Sequence, residues 1–207
     1  MPLLRPRVAD DREGGGGEKW PLQHMTPINP GPETVRALLD GATKLCLPLD
    51  PQPEEGCDAD GNFLRFPFHD GGGVVAHMHI QTAARKFANR IAPHASGDVV
   101  YVQEDWQEVF GKDRSVVYAG GQGNMEFRLA HTMPEWASRL RLRITGVEVK
   151  RACDVSDADA IACGIGPFAN SQTIDCDTES PKRLLHKQLG DKWCAVYTVE
   201  RESDDTA

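Results

Sequence analysis

One stretch constrains the fold more than any other: Arg139-Leu-Arg-Leu-Arg-Ile144. Apolar and basic residues alternate there with period two, the period of a half-buried strand and not of a helix. Leu140, Leu142 and Ile144 take one face, and Arg139, Arg141 and Arg143 take the other. After Thr145-Gly146 the apolar parity changes, to Val147 and Val149. A one-residue shift flips every side chain to the opposite face, so the parity change predicts a β-bulge at Gly146. Bulges of this kind bend sheets at barrel corners.

The surrounding elements are short. Pro32 to Asp40 reads as a helix, with Pro32 in the first turn, Val35, Leu38 and Leu39 on one stripe, and Gly41 as the cap. Residues 48–73 are rich in Pro, Gly and Asp and read as a long irregular excursion. Val74–Ile80 reads as a strand and Thr82–Arg90 as a helix. Val99–Val102 and Ser115–Tyr118 are further strands, the second followed by a Gly120-Gly-Gln-Gly123 turn. That turn is no phosphate loop, because it lacks the Lys-Ser/Thr ending. Ser156 with Asp159 three residues on marks a helix start, with Ala158, Ile161 and Ala162 as its apolar stripe and Gly164 at its end. Pro181–Leu189, capped by Gly190, is a last helix, and Trp193–Val199 a last strand. The fold class expected is α+β: a small curved sheet or barrel with short helices packed against it.

Composition bounds the function. The chain has 207 residues, enough for about one domain. Its net charge is −8, which argues against a strong nonspecific binder of nucleic acid or of a membrane surface. The longest runs without a charged side chain, Gly71–Ala84 and Ala160–Ile174, are too short and too polar to span a bilayer. No C-x-x-C pair occurs among the six cysteines, so free thiols in a reducing compartment are expected. Residues 1–24, with the Gly14–Gly17 run, read as a flexible tail, residues 25–201 as the domain, and residues 202–207 as an acidic tail.

Four stretches carry a resemblance: Thr34-Val-Arg-Ala-Leu-Leu-Asp-Gly41, Gly97-Asp-Val-Val-Tyr-Val-Gln-Glu-Asp-Trp106, Met133-Pro-Glu-Trp-Ala-Ser-Arg139, and Ile144 through Asp154-Val-Ser-Asp-Ala-Asp-Ala-Ile-Ala-Cys-Gly-Ile165. In this order they resemble the ASCH-like proteins of tailed bacteriophages and prophages, a group within the PUA-like superfamily. The resemblance covers residues 25–200. It implies a PUA-like curved β-barrel with the first helix across its opening, a place in the cytoplasm of a bacterial host, and possible virion association.

The departures are as informative as the matches. In the family the first helix runs into Gly-Arg-Lys-Thr-x-Thr-Arg-Arg, and some members are amidohydrolases on acetylated cytidine. Those members use that Lys, the second Thr, and a Glu from a later Ala-Glu-Gly helix end. The corresponding positions here are Thr43, Cys46 and Cys163, and the two closing Arg positions hold Leu47 and Pro48. The resemblance therefore implies a protein without that catalysis. Lys44, Cys46 and Glu104 are the residual candidates for chemistry. A thiol nucleophile at Cys46 needs a nearby cation such as Lys44, whereas Cys163 is no general base at neutral pH. Two family arginines are also replaced, by Gln103 and by Glu135.

Binding candidates remain. Tyr101, Trp106 and Trp136 are aromatics able to stack a base, and Arg139, Arg141 and Arg143 are the one cation row at strand spacing. Against this stands a solvated strand face paired with acids such as Glu148 or Glu135. His77-x-His79 supplies two imidazoles, but His69 lies in a Gly-rich loop and no third ligand stands at a zinc spacing, so neither metal nor cofactor is expected. The leading reading is a non-catalytic ASCH-like accessory module that binds a nucleotide or single-stranded RNA weakly near Trp106, Trp136 and Arg139. The alternative is a phage structural protein that contacts a phage or host protein through an acidic surface. An amidohydrolase or nuclease on modified nucleosides or RNA comes third. No membrane partner is expected.

Overall fold

A computed structural model describes residues 25–77, 79–109, 115–119, 126–165 and 180–202. The expected Gly-rich tail, the Gly120–Gly123 turn and the acidic end after Glu202 lie outside the described residues.

The fold is α+β, and a five-stranded sheet is its frame. Strands β1 (Thr26–Ile28), β2 (Lys44–Pro48), β6 (Val99–Val102), β9 (Arg141–Arg151) and β10 (Trp193–Arg201) lie in the order β1-β6-β9-β10-β2. β1 runs parallel to β6, and the other neighbours are antiparallel. A three-stranded sheet, β3 (Glu54–Asp58), β4 (Gly61–Pro67) and β5 (Gly73–Ala76), and a hairpin, β7 (Trp106–Val109) with β8 (Ser115–Tyr118), complete the β structure. Among the described residues these sheets do not close into a barrel.

The alternating strand behaves as its pattern dictates. Leu140, Leu142 and Ile144 are buried, and Val149 is buried beyond the parity change. The register explains both facts: Thr198 pairs with Gly146 but Val199 pairs with Ile144, leaving Thr145 as the extra residue. The bulge thus sits one residue before Gly146. It keeps Val147 and Val149 on the core face despite their odd spacing. The strand itself starts at Arg141, so Arg139 lies outside the ladder.

β10 is buried on both faces. Ala195, Tyr197 and Val199 join the main core, whereas Val196 joins a second cluster with Val155, Ala160 and Leu185. Helices cover each side. α2 (Ile80–Lys86) and α3 (Ala88–Ile91) pack on β9, and α4 (Asp157–Ala162) packs on β2 and on α5 (Pro181–Leu189). α1 (Pro32–Leu39) sends Val35 and Leu38 into the main core. It ends as its glycine requires: Gly41 has φ 102°, its N–H donates to Leu38 O, and Ala42 N–H donates to Ala37 O.

Three expectations are corrected. The irregular excursion at 48–73 contains the β3–β4 hairpin; Leu64 and Phe66 point into the core, and Phe66 meets Trp193 edge-on at 4.8 Å. The Pro and Gly content masked a period-two run at Phe63-Leu-Arg-Phe66. The strand expected to reach Ile80 ends at Ala76, and Ile80 opens α2. In α4 the buried residue is Ala160, while Ile161 is 58% exposed. A helix of under two turns has too few residues for its sequence to fix which face is covered.

Gly164 joins two elements. With φ 81°, it ends α4, and a Cβ there would collide with the side chain of Ala37 in α1. Thr43 N–H donates to Ala162 O at 3.0 Å across the same contact. Glycine is required both by the backbone region and by the approach of the two helices.

Candidate functional site

Backbone bonds fix the turn between β6 and β7. Gln103 N–H donates to Ile28 O at 2.8 Å, and Ala119 N–H donates to Asp105 O at 2.8 Å. The Gln103 side-chain amide donates to Met133 O at 3.2 Å, and Asp105 Oδ1 accepts Ala130 N–H at 2.8 Å. This turn is the floor of a cleft of about 800 Å³. Val35, Arg36 and Leu39 of α1 form one wall, and Val116 and Tyr118 of β8 form the other. Arg139 closes one side.

Inside the cleft, Glu104 and Arg139 form a fork. Arg139 Nε donates to Oε1 at 2.9 Å and Nη2 to Oε2 at 2.6 Å. The Glu104 side chain is 8% exposed and that of Arg139 37%. The guanidinium carbon stands 4.2 Å from the centroid of the Tyr118 ring. Tyr118 OH donates to Ala137 O at 2.8 Å, which fixes the ring under the cation. The Glu104 carboxylate raises the already high pKa of Arg139, and burial raises that of Tyr118. Both keep their protons at physiological pH. A fork using both carboxylate oxygens is the strong geometry of an Arg–carboxylate pair, and the aromatic face adds a cation–π contact. Glu104 therefore positions Arg139. It is not arranged as a free base.

The structure sorts the sequence candidates. Glu104 and Arg139 come together and line the cleft; Tyr101, Trp106 and Trp136 do not line it. Trp106 is 3% exposed, packs with Met133 and Ala137, and donates from Nε1 to Thr132 Oγ1 at 3.2 Å. Trp136 is 47% exposed and edge-on to Trp106 at 6.0 Å. Tyr101 is half-buried on β6, opposite Arg141. The expected row of three cations is also broken. Arg139 leaves the strand for Glu104, Arg141 is half-buried, and Arg143 Nη2 pairs with Glu202 at 2.6 Å. The acids expected to pair with that row were Glu148 and Glu135; Glu148 pairs with Lys150 instead. Tyr118, which holds the guanidinium, reads in the sequence only as a strand residue. Its partner Arg139 lies 21 positions away, so no local spacing marks the pair.

Thr43, Cys46 and Cys163 lie elsewhere. Cys46 and Cys163 line a second cleft of about 380 Å³ between β2 and α5, and Thr43 meets the end of α4. Lys44 is not aimed at Cys46. Its Nζ donates to Asp159 Oδ1 at 2.5 Å, and Lys150 reaches Oδ2 of the same carboxylate at 3.3 Å. The Lys44 bond and the capping Ser156 hold the Asp159 carboxyl at about 2. The Cys46 thiol is pushed far up by its hydrogen bond with Cys194 and by burial. Burial pushes Cys163 up to about 12. Neither is a thiolate at neutral pH, so neither is a ready nucleophile.

His77 does not group with His79 or His69. Its Nε2 lies 3.0 and 2.9 Å from the two oxygens of Asp58, and Asp60 completes a cluster of three. His79 instead sits at φ 59° before α2, and His69 Nδ1 faces Arg90 O at 2.9 Å. Among the described residues, no helix is long and apolar enough to cross a membrane. Comparison of the chain with family models, with curated proteins and with solved structures gave no match.

Proposed function

We propose that this chain is a non-catalytic, ASCH-like accessory module, a variant of the PUA-like barrel, that binds a nucleotide or the end of a single-stranded RNA in the α1–β8 cleft. The carrying observation is the Arg139 guanidinium, fixed by Glu104 and stacked on Tyr118 within a cleft of about 800 Å³. That volume lies in the range of small-molecule sites. Arg139 offers guanidinium donors to a phosphate or a base carbonyl, and Arg36 adds a second cation on the α1 wall. Leu39 and Val116 offer an apolar lining for a base. The raised thiol pKa values at Cys46 and Cys163 support the non-catalytic part of this reading.

Binding is weak and only mildly salt-dependent. Two cations on the cleft give a single-strand salt slope of roughly −1.4, at about −0.7 per phosphate. A salt titration of short single-stranded RNA against the wild type and Arg139→Ala tests this. Loss on the order of tenfold in the variant is expected, as for removal of one charge-assisted hydrogen bond. Equal binding by the two proteins would remove the cleft from the account.

A second reading has its own support. The net charge of −8 and the exposed side chains of Leu129 (62%) and Trp136 (47%) suit contact with a basic protein partner of a phage or its host. Nucleotide titrations without any response favour that reading.

A further inference from the structure

We propose that Asp58, Asp60 and His77 form a binding site for a first-row divalent transition ion at the tip of the β3–β4 hairpin. This site is independent of the nucleotide cleft, which none of the three residues lines. Asp58 closes β3 and pairs with Gly61, so Ala59 and Asp60 form a two-residue turn. β5 pairs with β4 on its other edge and ends at Ala76, which delivers His77 beside the same tip. Two strand pairings thus bring His77 to a turn 17 to 19 positions earlier in the chain. One ligand atom from each of the three lies within 4.8 Å of the others.

The donor set is not simply a patch of acids. The imidazole supplies a nitrogen, and its ring is braced by Phe63, with centroids 5.6 Å apart. Nε2 lies 2.9 Å from Asp58 Oδ2 and 3.0 Å from Oδ1. Tetrahedral ligands each about 2.1 Å from zinc stand about 3.4 Å apart. The Asp58–His77 hydrogen bond would give way to the ion, with the ligand atoms separating by about 0.5 Å. One imidazole with two carboxylates suits zinc and its first-row neighbours better than calcium or magnesium, which favour all-oxygen shells. Three protein ligands leave further positions open to water or to a group on a partner.

The test uses the untagged full chain after treatment with a chelator. Zinc is titrated by calorimetry, and cobalt absorption reports the ligand type. One equivalent of zinc is expected, with cobalt bands that lack thiolate charge transfer. His77→Ala should weaken binding by on the order of tenfold or more, as should Asp60→Asn, whose site is an exposed turn that tolerates the change. Cys57→Ser, next to the site, should bind as the wild type does. Circular dichroism confirms that each variant is folded. Absence of zinc binding by the wild type, a thiolate band, or undiminished binding by folded His77→Ala or Asp60→Asn overturns the proposal.

Discussion

Arg139 meets Glu104 through both carboxylate oxygens, at 2.9 and 2.6 Å, and the Glu104 side chain is only 8% exposed. A carboxylate this buried cannot lose its partner without cost. Arg139→Ala should destabilise the fold by about 1–2 kcal/mol, less than a fully buried pair because the guanidinium is partly exposed. Glu104→Gln should cost less in Arg139→Ala than in the wild type. Urea unfolding of the double-mutant cycle measures this; additive effects would show the two groups to be uncoupled.

Gly164→Ala should be among the more damaging small substitutions. It adds a Cβ at φ 81°, where it meets Ala37 of α1. Strain and overpacking together should cost about 2 kcal/mol or more. Thermal denaturation reads it, and a change near zero would mean that α1 and α4 move apart freely.

Asp159 makes part of the stability acid-labile. Its pKa is lowered from 3.8 to about 2, chiefly by Lys44. A depressed carboxyl stabilises the fold above its unfolded pKa, and the contribution disappears as pH falls from 3.8 through about 2. The size is about 2 kcal/mol. His94 acts in the same direction at higher pH. Burial lowers its pKa below 6.5, so protonation favours the unfolded chain as pH drops below 6.5. Lys44→Met should flatten the acid limb of the stability curve. An unchanged limb would contradict the role given to Asp159.

The alternating strand, its bulge and the terminal helices were legible because period and cap residues are local signals. Leu140, Leu142 and Ile144 are buried as the alternation requires. The hairpin at 54–67 was hidden, because Glu54-Glu-Gly-Cys-Asp58 lies largely exposed at an edge and carries no alternation. The site was legible in part. Glu104 and Arg139 stood among the candidates, but for separate reasons, and only the chain path between β6 and β9 joins them over Tyr118. Trp106 illustrates the opposite error: a tryptophan suited to stacking a base is spent on packing against Met133 and Ala137.

Thiol reactivity distinguishes the sulfurs. Cys46 and Cys163, with raised pKa values, should resist alkylation in the native protein at pH 7, while Cys57, exposed, reacts first among the described cysteines. Mass spectrometry after brief iodoacetamide treatment checks the order. The same protein should not hydrolyse acetylated cytidine. Prompt labelling of Cys46 together with hydrolysis that is lost in Cys46→Ala would restore an enzyme.

The most direct test of the nucleotide reading maps the ligand onto the chain. Amide and tyrosine resonances are followed as each ribonucleoside monophosphate is added. The account predicts shifts concentrated at Val35, Gln103, Glu104 and Tyr118, which line the cleft, and their loss in Arg139→Ala. Shifts centred on Arg143 and Trp136, or no shift with any nucleotide, would contradict it.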